Sequence, residues 1–194
     1  MTGPAKTQPA DTSPAELRRA QIAQAAADVF IRYGYARTTM GDIAAAAGVA
    51  RPTLYLSFPH KRDIFGAVIE FLAGRLMAAF QNDLAALPDL RAKLRHVCLT
   101  WGLAGYDLVR ANPDAEDLFD LNFPPVRASH VSFGGLLAGL LAEAGHADPE
   151  PTGQMMAAAL KGMKIVAEDR DELQAMIGRL CDMTVAAMSA GGGS

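Results

Sequence analysis

The sequence of 194 residues is poor in several features that would point to a particular class of protein. Its two cysteines, Cys98 and Cys181, are too few and too far apart in sequence for a disulfide-stabilised scaffold or a zinc motif. No apolar run approaches the ~20 residues that span a bilayer, and the polar, proline-rich first residues are not those of a signal peptide. We therefore expect a cytoplasmic protein with no membrane segment and with buried, free thiols.

Aromatic residues are also scarce, at 7% of the chain, and the formal net charge is −3 rather than positive. The total hides an uneven distribution. Residues 1–62 carry eight Lys or Arg against four Asp or Glu, whereas the remainder carries ten against seventeen. A basic first third on an acidic remainder is the pattern of a nucleic-acid-binding module joined to something else.

Apolar residues are abundant, at 51%, and they recur with helical spacing almost everywhere. No segment shows the period-2 alternation of a strand, and Ala, Leu and Met are frequent, so we predict an all-α fold. The cap residues, glycines and prolines set the expected helix boundaries. The predicted helices cover 14–33, 40–47, 51–58, 61–80, 89–111, 114–121, 126–144, 152–168 and 170–189.

Two of these helices, 40–47 and 51–58, are short and are joined by a turn at Gly48, a residue that tolerates positive φ. The alanines at 44–47 allow close packing, and Val49 and Leu54 are spaced to anchor the second helix to a core. The opposite face of that helix is then free to meet DNA, as in a helix-turn-helix motif. Taken alone, the pair is also typical of ordinary helical hairpins.

The residues around this pair form a longer pattern: Gly34 to Ala44, Ala47-Gly48-Val49, Thr53-Leu54-Tyr55, Phe58 and Lys61. This pattern resembles the tetracycline-repressor (TetR/AcrR) family of bacterial regulators over residues 15–65, about a quarter of the chain. The resemblance implies an all-α homodimer with an N-terminal three-helix DNA-binding domain. It also implies a larger C-terminal domain that binds a small ligand and dimerises, and a protein that usually represses transcription until the ligand binds. Ala50, Leu56 and Ser57 depart from the family pattern, so no operator sequence is transferred.

The resemblance and the chemistry of the motif together give six expected DNA-binding residues. Arg51 suits a guanine edge because its fork can bond O6 and N7 together. Tyr55 and Lys61 resemble the phosphate-contacting residues of the family, as does Thr39 at the start of a helix. Tyr55 could instead be half-buried core, and Arg51 and Lys61 could be ordinary solvated charges. The full set is Thr39, Arg51, Pro52, Thr53, Tyr55 and Lys61.

The rest of the chain shows no catalytic or metal-ligand spacing, and we expect no cofactor. In the resembled family, ligand cavities lie between helices of this part, so large residues here are candidates to line one. Each of them could equally be plain core filling. His96, Asp107 and Asn122 are candidate polar contacts. The expected ligand-binding residues are Trp101, Tyr106, Phe119, Phe123, Phe133 and Met163.

The last two predicted helices carry wide apolar faces, which favours a homodimer through a four-helix bundle. We therefore expect a tail at 1–12, a DNA-binding domain at 13–60, a ligand-binding and dimerisation domain at 61–190, and a flexible end at 191–194. The expected function is a ligand-released repressor that binds a palindromic double-stranded DNA operator as a homodimer, with a small, mostly apolar effector. The alternative is a small helical enzyme, or a ligand-binding protein that uses the C-terminal cavity without DNA regulation.

Overall fold

The computed structural model describes residues 13–191, and over this range it contains helices and no strand, which confirms the all-α prediction. The tail expected at 1–12 and residues 192–194 of the expected flexible end lie outside the described residues. Eight α-helices and one 3₁₀ helix follow one another along this part of the chain. They are α1 (Pro14–Arg37), α2 (Met40–Ala46), α3 (Arg51–Ser57), α4 (Lys61–Leu84), α5 (Leu90–Ala111), the 3₁₀ helix (Pro113–Phe119), α6 (Pro124–Glu143), α7 (Pro149–Val166) and α8 (Arg170–Gly191).

Several observed boundaries differ from the predicted ones; α4, for example, continues to Leu84 instead of ending at 80. The helices predicted from 126 and 152 begin earlier, at Pro124 and Pro149, because a proline fits the first turn of a helix. The segment predicted as an α-helix at 114–121 is the tighter 3₁₀ helix. Gly34 interrupts the helical geometry of α1, at φ 71° and ψ 169°, although a last turn continues to Arg37.

Capping boxes begin the first two helices, as the sequence predicted. In α2 the Thr39 hydroxyl accepts from the Asp42 N–H, and the Asp42 carboxylate accepts from the Thr39 N–H. Hydrogen bonds from the Thr39 hydroxyl and N–H hold the pKa of Asp42 below its usual value. Ser13 and Glu16 make the same reciprocal pair at the start of α1.

Two apolar cores stabilise the fold, and α4 contributes to both. Its first half places Phe65 and Val68 in a core with α1, α2 and α3, and its end places Phe80 in a second core with α5 to α8. Leu118 of the 3₁₀ helix and Val126 of α6 also belong to the first core. The core around the short helices therefore extends beyond residues 13–60, since it needs the 3₁₀ helix and α6 to close it.

The two cysteines lie in this second core, on α5 and α8, and both are buried and free, as expected. Although they are 83 residues apart in sequence, the structure brings them together. A hydrogen bond with Cys181, together with burial, raises the pKa of the Cys98 thiol.

Candidate nucleic-acid interface and effector cavity

The geometry of the α2–α3 pair fixes which face of α3 points outward. Gly48 takes the left-handed conformation, at φ 65°, and the Val49 N–H donates to the Ala44 carbonyl at 3.0 Å, which closes the turn. Leu54 and Phe58 are fully buried in the first core. Because these two residues anchor α3 from one side, the opposite side of the helix faces solvent.

The outward face of α3 carries most of the residues predicted to read DNA. Arg51 and Pro52 are exposed, and Tyr55 is 50% exposed, so its ring is not core filling. Thr53 is half-buried. Leu56 is 88% exposed, although its sequence position stood out only as a departure from the family pattern. An apolar residue at the centre of a polar face was the available signal.

A glycine in α2 makes room for the Arg51 side chain. A Cβ atom at Gly41 would collide with the Arg51 guanidinium, which therefore lies directly against α2. The Asp42 carboxylate attracts the same guanidinium. Arg51 is thus partly oriented before it meets any ligand, and sequence reasoning did not assign this role to Gly41.

Thr39, which was predicted to bind DNA, is exposed at the start of α2. Its hydroxyl is already engaged in the capping box, where it donates to Asp42 Oδ2 at 2.7 Å.

The Lys61 ammonium has different partners from the phosphate that we expected. It donates to the carbonyls of Tyr35 at 2.6 Å, Ala36 at 3.3 Å and Thr38 at 2.8 Å. It also lies 4.4 Å from the centre of the Tyr35 ring. An ammonium has three N–H donors, and all three are directed at the turn that follows α1. In this structure Lys61 therefore holds the end of α1 against the start of α4.

The 3₁₀ helix holds the same turn from the other side. Asp117 Oδ2 accepts the N–H of Tyr35 at 2.8 Å and that of Ala36 at 3.4 Å, and Arg37 pairs with Asp114. The turn that leads into α2 is thus fixed by two elements of the body. Sequence reasoning missed this contact, and two acids three residues apart beside a proline were the only signal.

A cavity of about 400 Å³ lies between α4, α5, the 3₁₀ helix, α6 and α7. Of the six residues expected to line it, Trp101 and Phe119 do so. The polar lining residues, which the sequence did not single out, are Ser129 and His130 of α6, Lys161 and Lys164 of α7, and the exposed Arg75 of α4.

The other four residues expected at a ligand lie outside the lining of this cavity. Phe133 is fully buried and stacks on Trp101 with ring centres 4.3 Å apart. Tyr106 is buried in the second core and Met163 packs against it. Phe123 packs on Tyr35, in the first core, at 5.0 Å. Aromatic content indicated the right region, but which rings face a cavity depends on helix rotation, which the sequence does not fix.

The three residues expected to make polar contacts with a ligand, His96, Asp107 and Asn122, also lie outside the cavity lining. His96 lies 3.1 Å from Asp83. Asp107 pairs with Arg170 at 3.1 Å on the surface, and Asn122 is exposed.

The polar end of the cavity is cationic. Burial lowers the pKa of Lys164 to about 8, and the nearby charge of Lys161 adds to the shift. Lys161 donates to the Phe119 carbonyl at 2.7 Å. Burial also lowers the pKa of His130, with Lys164 as the next cause, and the His130 Nε2 atom is buried without a hydrogen-bond partner. No Asp or Glu is among the lining residues.

Large apolar side chains remain exposed on α7 and α8, the helices predicted to form a dimer. Ile165 is 73% exposed and Met183 is 71% exposed, and Met155 and Val166 are also exposed. Leu180 is half-buried and packs against the second core of its own chain. Within residues 13–191, no helix is long and apolar enough to cross a membrane, and no cluster of His, Cys, Asp or Glu could hold a metal ion.

Comparison with known proteins gives matches of two kinds. Residues 22–68 match the family described as bacterial regulatory proteins, tetR family. The transcriptional activator FasR of Mycolicibacterium smegmatis is 36% identical over 78 residues, which are 40% of this chain. The matched residues cover only 36% of the length of that relative.

Solved structures match over most of the chain. A transcriptional regulator from Cytophaga hutchinsonii superimposes with a TM-score of 0.66 at 21% identity, covering 84% of this chain and 93% of that one. The regulator FadR from Bacillus subtilis, solved in complex with stearoyl-CoA, superimposes with a TM-score of 0.64 at 21% identity, covering 84% and 95%. These similarities establish the fold, and the named relatives are regulators rather than enzymes.

Proposed function

We propose that this chain, whose N-terminal domain belongs to the TetR family of bacterial regulators, is a DNA-binding transcriptional repressor that works as a homodimer and is released from its operator by a small effector. The observation that carries the proposal is the outward face of α3. Its anchoring residues are buried, while Arg51, Tyr55 and Leu56 face solvent in a basic part of the chain.

In this proposal α3 enters the major groove of one operator half-site. Arg51, at the start of the helix, bonds the O6 and N7 atoms of a guanine, and Leu56 contacts a thymine methyl group. Pro52 and Thr53 lie beside them at the groove. Tyr55 donates to a backbone phosphate, and the Thr39 hydroxyl does the same when it turns from Asp42 Oδ2 to a phosphate oxygen; these contacts position the domain without reading sequence. Lys61 acts indirectly, by holding the turn that precedes α2.

A dimer would present two α3 helices to successive major grooves, about 34 Å apart along the DNA. The exposed apolar residues of α7 and α8, Ile165 and Met183 among them, support an interface at these helices, since large exposed apolar patches mark contact surfaces. Met183→Glu should give monomers in sedimentation, because it buries a carboxylate at the interface while leaving the chain's own core intact. Leu17→Glu, at an exposed leucine of α1, is the matched control. A Met183→Glu protein that stays dimeric would place the interface elsewhere.

Two elements connect the cavity to the DNA-binding domain. The cavity is lined by Leu118 and Phe119 of the 3₁₀ helix, whose Asp117 holds the turn before α2. Helix α4 lines the same cavity and begins with Lys61, which holds that turn from the other side. An effector that shifts either element would favour a state in which the two α3 helices of the dimer no longer fit the operator.

Selection of operators from random duplexes with the purified protein tests the proposal. The selected sites should be approximately palindromic. Arg51→Ala should cost ~1–3 kcal/mol and relax preference at one base position, whereas Tyr55→Ala should weaken binding to all sequences alike. Arg91→Ala, an exposed arginine of α5, and Tyr33→Ala, an exposed tyrosine of α1, are the controls. A selection that enriches no sequence would refute the proposed function.

A further inference from the structure

The cavity combines apolar walls with a cluster of basic side chains. Its apolar walls come from α4, α5 and the 3₁₀ helix, with Leu72, Leu76, Trp101 and Leu118 among them. Lys161, Lys164 and His130 lie together on α7 and α6. A ligand that fills this space must match both parts, because an apolar body alone leaves the polar end unsatisfied.

The Lys164 ammonium is the least satisfied group at that end. It forms no hydrogen bond or ion pair with any residue in the range 13–191, and its nearest aromatic ring, that of Phe119, is centred 5.5 Å from Nζ. A Cβ atom at Gly105 would lie 3.3 Å from Nζ. The missing side chain at Gly105 therefore leaves room for this ammonium between α5 and the 3₁₀ helix.

Burial of an unpaired charge is costly, and proteins avoid it unless another group compensates. The charge that Lys164 carries is not balanced by a carboxylate in the cavity lining, and Lys161 adds a second positive charge. The lowered pKa of Lys164 is the consequence of this environment. The buried, unpartnered Nε2 atom of His130 is a second polar group without a hydrogen bond.

We infer that the effector is an amphipathic carboxylic acid whose carboxylate binds the Lys164 ammonium and the His130 ring beside Lys161, while its apolar body lies along α4 and α5. A carboxylate supplies the missing negative charge and accepts from the Lys164 ammonium, and it accepts from His130 in the tautomer that carries its single N–H on Nε2. The volume of about 400 Å³ lies at the lower end of the range for drug-sized ligands, so a medium-length body fits. The inference rests on the proposed function only in calling this ligand an effector.

The probes are decanoate and 4-butylbenzoate, which carry the same acid on an aliphatic and an aromatic body. Decan-1-ol and decylammonium keep the apolar chain and replace the acid with a neutral or positive group. Trp101 is the only tryptophan and lines the cavity, so its fluorescence reports binding. The titrations contain no DNA, and their outcome is therefore separate from a failure of operator binding.

At least one acid should bind the wild-type protein about tenfold or more tightly than the alcohol, because a charge-assisted hydrogen bond is worth that much. Lys164→Met should remove this preference and leave the alcohol unchanged, whereas Lys93→Met, a lysine of α5 outside the cavity, should change neither. Lys164→Met should also unfold at no lower denaturant concentration, since an apolar replacement removes a buried charge.

The affinity of the acid should also depend on pH in one direction. The ammonium form binds, and the free-state pKa of Lys164 is about 8, so affinity should be level from neutral pH up to that value and fall above it. The other titratable and charged groups that line the cavity with this ammonium are Lys161, Arg75 and His130, and the pKa of His130 is lowered by burial and by the charge of Lys164. Equal binding of acid and alcohol, tighter binding of decylammonium, unchanged acid affinity in Lys164→Met, or no binding of either acid at millimolar concentration would each overturn the inference.

Discussion

Replacing Asp117 tests the contact between the 3₁₀ helix and the turn that leads into α2. Its carboxylate accepts two backbone N–H groups, from Tyr35 at 2.8 Å and from Ala36 at 3.4 Å. A hydrogen bond to a charged group is worth ~1.5–3 kcal/mol, and the second bond here is long and exposed. We therefore expect Asp117→Ala to lower the free energy of unfolding by about 2 kcal/mol. For a chain of this length that corresponds to a drop in Tm of about 4–8 °C.

Thermal unfolding followed by circular dichroism measures this change. The protein concentration is held fixed, because the apparent stability of the proposed dimer would depend on it. Asp117→Asn should lose less, since the amide oxygen still accepts without charge. Glu116→Ala, at an exposed acid on the same 3₁₀ helix, should be neutral. If the contact positions α2 and α3, Asp117→Ala should also bind operator more weakly. A Tm within one degree of the wild type would refute the role assigned to this carboxylate.

Two further predictions concern the start of α2 and the end of α1. Thr39→Ala removes the capping box and should cost ~0.5–2 kcal/mol in urea unfolding. Thr39 lowers the pKa of Asp42 below 3.8, so the capping box stabilises the fold above that pH, and this stabilisation is lost as pH falls through the lower pKa of the folded state. The difference in stability between variant and wild type should therefore shrink in an acid titration followed by circular dichroism. Gly34→Ala should lower the free energy of unfolding by at least about 1–3 kcal/mol, because φ 71° with ψ 169° is open essentially to glycine alone and the new Cβ would lie 2.5 Å from the Asp114 carbonyl oxygen. Gly74→Ala, where a Cβ meets open space, is the control. A Gly34→Ala protein as stable as the wild type would contradict the predicted backbone strain.

The helical class and the helix-turn-helix were predictable because they depend on local signals. Apolar spacing, the capping pair Thr39 and Asp42, and Gly48 at the turn each act within a few residues, and the structure keeps all of them. The exposure of Tyr55 followed from the burial of Leu54 one position earlier.

Side-chain partners across the fold were not predictable, because they depend on how helices rotate and approach. Lys61 was expected to face phosphate, but the three carbonyls that it contacts belong to a turn 23 to 26 residues earlier. Phe123 and Phe133 are large aromatic residues of the kind that line cavities, yet each packs on another ring in a core. Lys161 and Lys164 gave no signal in the sequence, because lysines on a helix are usually solvated.

The most direct test of the central claim is the salt dependence of DNA binding, measured by fluorescence anisotropy on a selected operator duplex. For the wild-type protein, the logarithm of the association constant should fall linearly with the logarithm of salt concentration, because phosphate contacts release counterions. The double variant Arg51→Ala/Tyr55→Ala should bind far more weakly, and its slope should be shallower because it lacks the Arg51 charge at the DNA. Salt-independent binding by the wild type, or wild-type affinity in the double variant, would contradict the assignment of α3 as the DNA-reading helix.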